Sequence, residues 1–159
     1  MSERQIWAPW RLAYIFGEKE EGCIFCNRLA RNDDESDMIL HRGQHSFVIL
    51  NAYPYVNGHL MIVPNLHTGD PEQLSDEALL EMSVLLKRCL AALRLAIHPH
   101  GFNIGWNIGR FAGAGVEDHV HEHVVPRWAG DTNFMPVLAG VSVLPEMLAE
   151  TYRTLKAVF

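Results

Sequence analysis

The period of the apolar positions changes several times along the chain, and each change marks an element. Met38-Ile39-Leu40-His41 and Ser46-Phe47-Val48-Ile49-Leu50 are short apolar runs separated by the turn signal Arg42-Gly43-Gln44, which predicts a hairpin. Ala52 to Gly58 reads as a loop through Pro54 and Asn57-Gly58. His59 to Pro64 reads as a third strand stopped by proline, and its unbroken apolar run predicts cover on both faces. Ser75 followed by Asp76 and Glu77 is a helix start, a capping hydroxyl with acids in the first turn. Leu79, Met82, Leu86, Cys89, Leu93 and Ile97 then recur at helical spacing up to Pro99, and Cys89 falls on that apolar stripe as a core residue. Phe102, Ile104, Trp106 and Ile108 alternate with Asn103, Gly105, Asn107 and Gly109, a strand with one apolar face. A glycine-rich loop from Arg110 to Asp118, a strand from His119 to Pro126 and a second helix from Leu144 to Val158 complete the pattern. Strands grouped before and behind one long helix predict an α+β fold with an antiparallel sheet, the long helix and a C-terminal helix.

At 159 residues and 18.0 kDa the chain suits one domain, and with 48% hydrophobic and 20% charged residues it is neither disordered nor fibrous. Residues 1–22 stand apart as an aromatic arm, with Trp7, Trp10, Tyr14 and Phe16 ahead of a charged run ending at Gly22; residues 23–159 are the expected domain. Thirteen Lys and Arg against 19 Asp and Glu leave a formal charge of −6, so neither nucleic acid nor an anionic membrane is an expected partner. Any phosphate must be held by local donors. Without an apolar run long enough to span a bilayer or to act as a signal core, the expected compartment is the cytoplasm.

The strongest chemical signal is His119, His121 and His123. Alternate residues of a strand share a face, so three imidazoles would project together, with successive Cα atoms roughly 7 Å apart. Such a stripe either chelates a metal that activates water or provides a nucleophile oriented by its neighbours. The surroundings favour the nucleophile. Gly113-Ala114-Gly115 allows close approach of a ligand, and Arg127 offers a forked phosphate donor just downstream. Imidazole attack on phosphorus gives a labile phosphoramidate, which divides a difficult transfer into two easier steps. Cys23-x-x-Cys26 suggests a metal or redox pair, and two thiolates need two further ligands to close a zinc site.

His119-Val120-His121-Glu122-His123-Val124-Val125 resembles the signature of the histidine triad (HIT) superfamily, in which histidines alternate with apolar residues. The resemblance extends over Cys23 to Cys26, Asn51 through Gly58-His59, Val63-Pro64 with His67, and Pro126 to Asp131. Trp7-Ala8-Pro9-Trp10-Arg11 and Asp131 to Phe134 resemble the branch of fragile-histidine-type hydrolases and diadenosine tetraphosphate phosphorylases.

The resemblance implies a HIT-like fold and a homodimer cleaving dinucleoside polyphosphates by hydrolysis or phosphorolysis. It implies that His121 is the nucleophile, that His123 lies near the transferred phosphate, and that Asn51 contacts the ribose. His59 stands close behind the triad, Asn107 and Gly115 belong to the phosphate side, and Arg127 is the best-placed cation. It also implies a structural zinc held by Cys23, Cys26, His67 and His119. Two positions depart from the pattern. Glu122 puts a carboxylate on the strand face opposite the histidines, where solvent, a neighbour or a cation must satisfy it. Val116 replaces a hydroxyl residue beside the leaving group, which fits the phosphorylase-like branch better. The alternatives are a nucleoside phosphoramidase, a non-catalytic nucleotide-binding or signalling module, and a zinc hydrolase using the triad as an open metal site.

Overall fold

Residues 21–131, Leu144 and residues 146–159 are described by a computed structural model of the chain. The aromatic arm through residue 20, including Arg11, and the stretch from Thr132 to Phe134 lie outside the described residues. The elements run in the order α1 (Ile24–Ala30), β1 (Ile39–Arg42), β2 (Ser46–Leu50), β3 (Leu60–Pro64), α2 (Asp76–Ile97), β4 (Gly101–Trp106), β5 (Glu122–Arg127) and α3 (Leu148–Lys156). The five strands pair antiparallel in the order β1-β2-β3-β5-β4. The fold is α+β.

Alternation along the central strands builds two apolar layers. Val48, Leu50, Leu60, Ile62 and Val124 face α2, where Met82, Leu85, Cys89 and Leu93 meet them, and Tyr152 and Leu155 of α3 close the same core. Phe47, Ile49, Met61 and Val63 face the other way, onto Phe25 of α1. The whole of β2 and β3 is buried, as their unbroken apolar runs require. Ser75 caps α2, its hydroxyl accepting the Ala78 N–H at 3.2 Å, and the helix ends at Ile97 ahead of Pro99. Cys89 is fully buried and its thiol is pushed up to about 12 by that burial. Gly58 has φ +75°, and a Cβ there would stand 2.6 Å from Ile97 Cδ1, so turn geometry and packing against α2 both require glycine.

Four expectations are corrected. The apolar pattern predicts no helix at α1, because its seven residues span under two full turns, too few to show a period. The strand expected from His119 begins at Glu122. Ile62 is its last partner on β3, because the Val120 N–H turns away to the Thr68 carbonyl (2.7 Å) and the His119 ring takes the Pro64 carbonyl. The β4 strand stops at Trp106 rather than continuing through Ile108, and α3 starts at Leu148 rather than Leu144. Glu122 does lie on the α2 side. It is half-buried there, burial pushes its carboxyl upward, and the Trp106 side chain is its hydrogen-bond partner.

Candidate active site and metal centre

Two segments converge at the start of β5. The chain leaving β3 carries His67, and the chain entering β5 carries His119. The Val120 N–H to Thr68 carbonyl bond ties them, and Gly69 lies so close to the Glu117 carbonyl that a Cβ would meet it at 2.6 Å. Cys23 caps α1 and Cys26 lies in its first turn, which brings both thiols to the same place. The ligand atoms of Cys23, Cys26, His67 and His119 all lie within 4.8 Å of one another.

This donor set fits zinc. His119 Nε2–H donates to the Pro64 carbonyl at 2.8 Å, which leaves the Nδ1 lone pair facing the cluster. That Nδ1 is 3.2 Å from Cys23 Sγ, 3.6 Å from Cys26 Sγ and 3.3 Å from His67 Nδ1, and Cys26 Sγ is 3.4 Å from His67 Nδ1. Tetrahedral zinc with S and N bonds of ~2.3 and ~2.0 Å spaces its ligands by ~3.3 Å for N to N and ~3.5 Å for S to N. All four ligands would be protein, the arrangement of a structural site.

His121 is buried against Phe25, ring centroids 5.0 Å apart, and Phe25 also meets the His119 ring edge-on at 5.3 Å. Its Nδ1–H donates to the His119 carbonyl at 2.9 Å, so the lone pair sits on Nε2. Burial lowers its affinity for a proton, partly offset by that hydrogen bond, and the ring is a neutral base.

His123 is set by a relay of donors. The Tyr55 backbone N–H, which can only donate, reaches His59 Nδ1 at 3.2 Å, with the Asn51 carboxamide 3.3 Å away. His59 must therefore carry its proton on Nε2, and it donates to His123 Nδ1 at 2.9 Å. In turn His123 carries its proton on Nε2, beside the Asn107 amide nitrogen at 3.4 Å, so that two donors point the same way with no hydrogen bond between them. Burial, reinforced by the neighbouring histidines, holds His59 down to about 3 and His123 to about 4, so both are neutral near pH 7. The result is a lone pair on His121 beside an N–H donor on His123, ring centroids 4.8 Å apart.

An open cleft of about 430 Å³ begins at His123 and runs along β4, lined among others by Tyr55, Asn103, Gly105, Asn107 and Arg127. The register that opposes Gly105 to His123 and Gly101 to Arg127 places these residues along one line. The Arg127 fork faces Asp131, with bonds of 2.6 and 2.9 Å to its carboxylate and one of 2.9 Å to Asn103 Oδ1. Asn51 spends its amide on His59 and its oxygen on the Tyr53 N–H at 2.9 Å. Gly115 lies on the exposed loop after Ala112, with open space where its Cβ would be, and Val116 packs beside the α1 layer. Sequence reasoning missed Phe25 and Tyr55. Phe25 sits inside the Cys-x-x-Cys motif and Tyr55 four residues before His59, and aromatics at those places were the available signal.

The HIT domain family matches residues 32–130, most of the chain and the whole of β1 through β5. The chain belongs to the HIT domain family. An AP-4-A phosphorylase of Mycobacterium tuberculosis is 32% identical, the alignment covering 96% of this HIT protein and 82% of that one. An adenosine 5′-monophosphoramidase of Schizosaccharomyces pombe is 31% identical over 66% of this chain and 74% of its own. Among solved structures, a Zn-bound histidine triad family protein from Mycobacterium smegmatis superposes with a TM-score of 0.69 at 30% identity, covering 86% of this chain and 92% of that one. Among the described residues, no helix is long and apolar enough to cross a membrane.

Proposed function

We propose that this HIT domain cleaves the phosphoanhydride of dinucleoside polyphosphates through a nucleotidyl-His121 intermediate. The observation that carries the reading is the pairing of a neutral, desolvated His121, its Nε2 lone pair uncommitted to the His119 carbonyl, with the His123 N–H donor beside it. Likeness to the AP-4-A phosphorylase supports the substrate class.

In the first step His121 Nε2 attacks the α-phosphorus. The N–P bond forms and the bond from phosphorus to the bridging oxygen breaks, so the leaving polyphosphate departs with the electron pair. The positive charge developing on the ring is stabilised through Nδ1–H and the His119 carbonyl, while His123 Nε2–H and the Asn107 amide serve the phosphoryl oxygens. In the second step an oxygen of water or orthophosphate attacks phosphorus, the N–P bond breaks with its electron pair returning to Nε2, the proton of an attacking water passes to solvent, and neutral His121 returns. Val116 supplies no hydroxyl near the leaving group, which favours polyphosphate phosphorolysis over cleavage of a P–N bond. Asn51 and His59 act by holding His123, Gly115 leaves room on the phosphate side, and Arg127 forms the far wall of the cleft.

One zinc per chain, held by Cys23, Cys26, His67 and His119, is the proposed cofactor. It would pin the entry of β5 to α1 and so fix the His119 carbonyl that orients His121. A homodimer formed through the exposed apolar surface of α2, where Leu80 and Leu95 are exposed, is the proposed assembly. The cytoplasm is the proposed compartment, and residues 23–159 the functional domain. Product analysis with diadenosine tetraphosphate tests the reaction. ADP with ATP, dependent on added phosphate, is expected; AMP with ATP means that water is the acceptor. Absence of any product means that the site binds without turnover and overturns the reading.

A further inference from the structure

Gly105 occupies the interior of the outer strand β4, directly opposite His123. Glycine in a strand gives up packing and costs conformational entropy, so its presence calls for a local cause. Backbone geometry supplies none, because Gly105 does not adopt a positive φ. Crowding supplies none either, since a Cβ built there meets no atom within 4 Å. What a side chain would occupy is the cleft that begins at His123 and extends to Asn103 and Arg127.

We propose that this cleft receives the nucleoside on the leaving side of the dinucleoside polyphosphate, and that Gly105 determines specificity by keeping it open. The inference rests on the nucleotidyl-transfer reading and adds the part of the substrate that departs. The volume of about 430 Å³ is that of a small-ligand site. Beside His123 and Arg127 its polar lining is the Asn107 carboxamide and the amide nitrogen of Asn103, whose oxygen accepts from Arg127, groups suited to the edge of a base or to sugar hydroxyls, and the half-exposed Tyr55 ring supplies an apolar wall. Charge argues for a nucleoside rather than a phosphate at the far end. Arg127, the cation there, lies against the Asp131 carboxylate, and the pair carries no net charge. The order along the cleft therefore follows the order along the substrate, phosphates beside His123 and an uncharged nucleoside beyond.

The test compares diadenosine tetraphosphate with adenosine 5′-tetraphosphate, which lacks only the second nucleoside. Wild-type kcat/KM should favour the dinucleotide by about tenfold or more, Gly105→Ala should keep the preference, and Gly105→Phe should bring the ratio to about one. Should Gly105→Phe not fold, Asn103→Trp fills the same cleft from an exposed position and should abolish the preference likewise. Turnover of both nucleotides at equal efficiency by the wild type overturns the proposal while leaving the nucleotidyl-transfer reading intact. So does a preference that survives Gly105→Phe and Asn103→Trp. A Gly105→Phe protein whose mass by light scattering falls below that of the wild type assigns the cleft to a second copy of the chain and also overturns it. No turnover of either nucleotide by the wild type overturns the parent reading instead.

Discussion

His59 Nε2 stands 2.9 Å from His123 Nδ1 while its other ring nitrogen takes the Tyr55 backbone N–H, so a peptide group in the loop before β3 decides which nitrogen of His123 bears the proton. His59 is fully buried and its bonds point inward, the situation of a positioning residue. His59→Phe should lower kcat by about 10- to 100-fold with little change in KM, because it removes the donor that fixes His123. His59→Gln, whose amide can still donate to His123 Nδ1, should recover part of the loss. Nitrogen NMR of the imidazoles provides the independent check: His123 should be protonated on Nε2 in the wild type and lose that bias in His59→Phe.

The same two histidines link stability to pH. Their folded-state values of about 3 and about 4 lie below the ordinary 6.5 expected in the unfolded chain. Between those limits the unfolded chain binds protons that the folded one does not, so the contribution is complete above about pH 6.5 and is lost as the pH falls toward 4. Thermal midpoints should decline across that window, and His59→Gln should make the decline shallower. An unchanged slope in His59→Gln would contradict the assignment.

Zinc should copurify at one equivalent per chain. Chelation, or Cys26→Ser, should lower the thermal midpoint by more than about 5 °C. His119→Ala should behave as Cys26→Ser does, because it removes a ligand and also loosens the carbonyl that holds His121. Metal loss that leaves the midpoint unchanged would argue against a structural site.

Gly58 precedes the relay and sets the entry into β3. Gly58→Ala should cost about 1–2 kcal/mol, since alanine is strained at φ +75° and its Cβ would displace the Ile97 side chain. Chemical denaturation should show a lower midpoint at an unchanged slope.

Much of this was legible in the chain, for reasons that differ from residue to residue. Ser75 and the helical recurrence through Ile97 are local signals, and α2 follows them closely. Cys23 and Cys26 were legible from their C-x-x-C spacing, whereas His67 and His119 entered as ligands through the resemblance. The structure brings them together by the tie between Val120 and Thr68, a contact between distant segments that no local pattern encodes. Alternation pointed to the histidines, yet His119 and His121 precede the paired strand. Their shared role depends on the His119 carbonyl, a backbone group that side-chain patterns do not register. The position of Arg127 at the end of the triad strand was readable in the chain, whereas the Asp131 carboxylate that takes its fork was visible only once the turn after β5 was formed.

In the proposed reaction His121 Nε2 becomes bonded to phosphorus. His121→Ala should reduce turnover on the order of a thousandfold while nucleotide affinity changes little, because base, ribose and phosphate contacts lie elsewhere. The most direct measurement is mass spectrometry of the peptide bearing His121 after brief mixing with diadenosine tetraphosphate and a quench in base, which preserves phosphoramidates. An adenylyl mass on His121, absent from His121→Ala, is the expected result. An active enzyme that accumulates the adduct on another residue, or a His121→Ala variant with near-normal turnover, would contradict it.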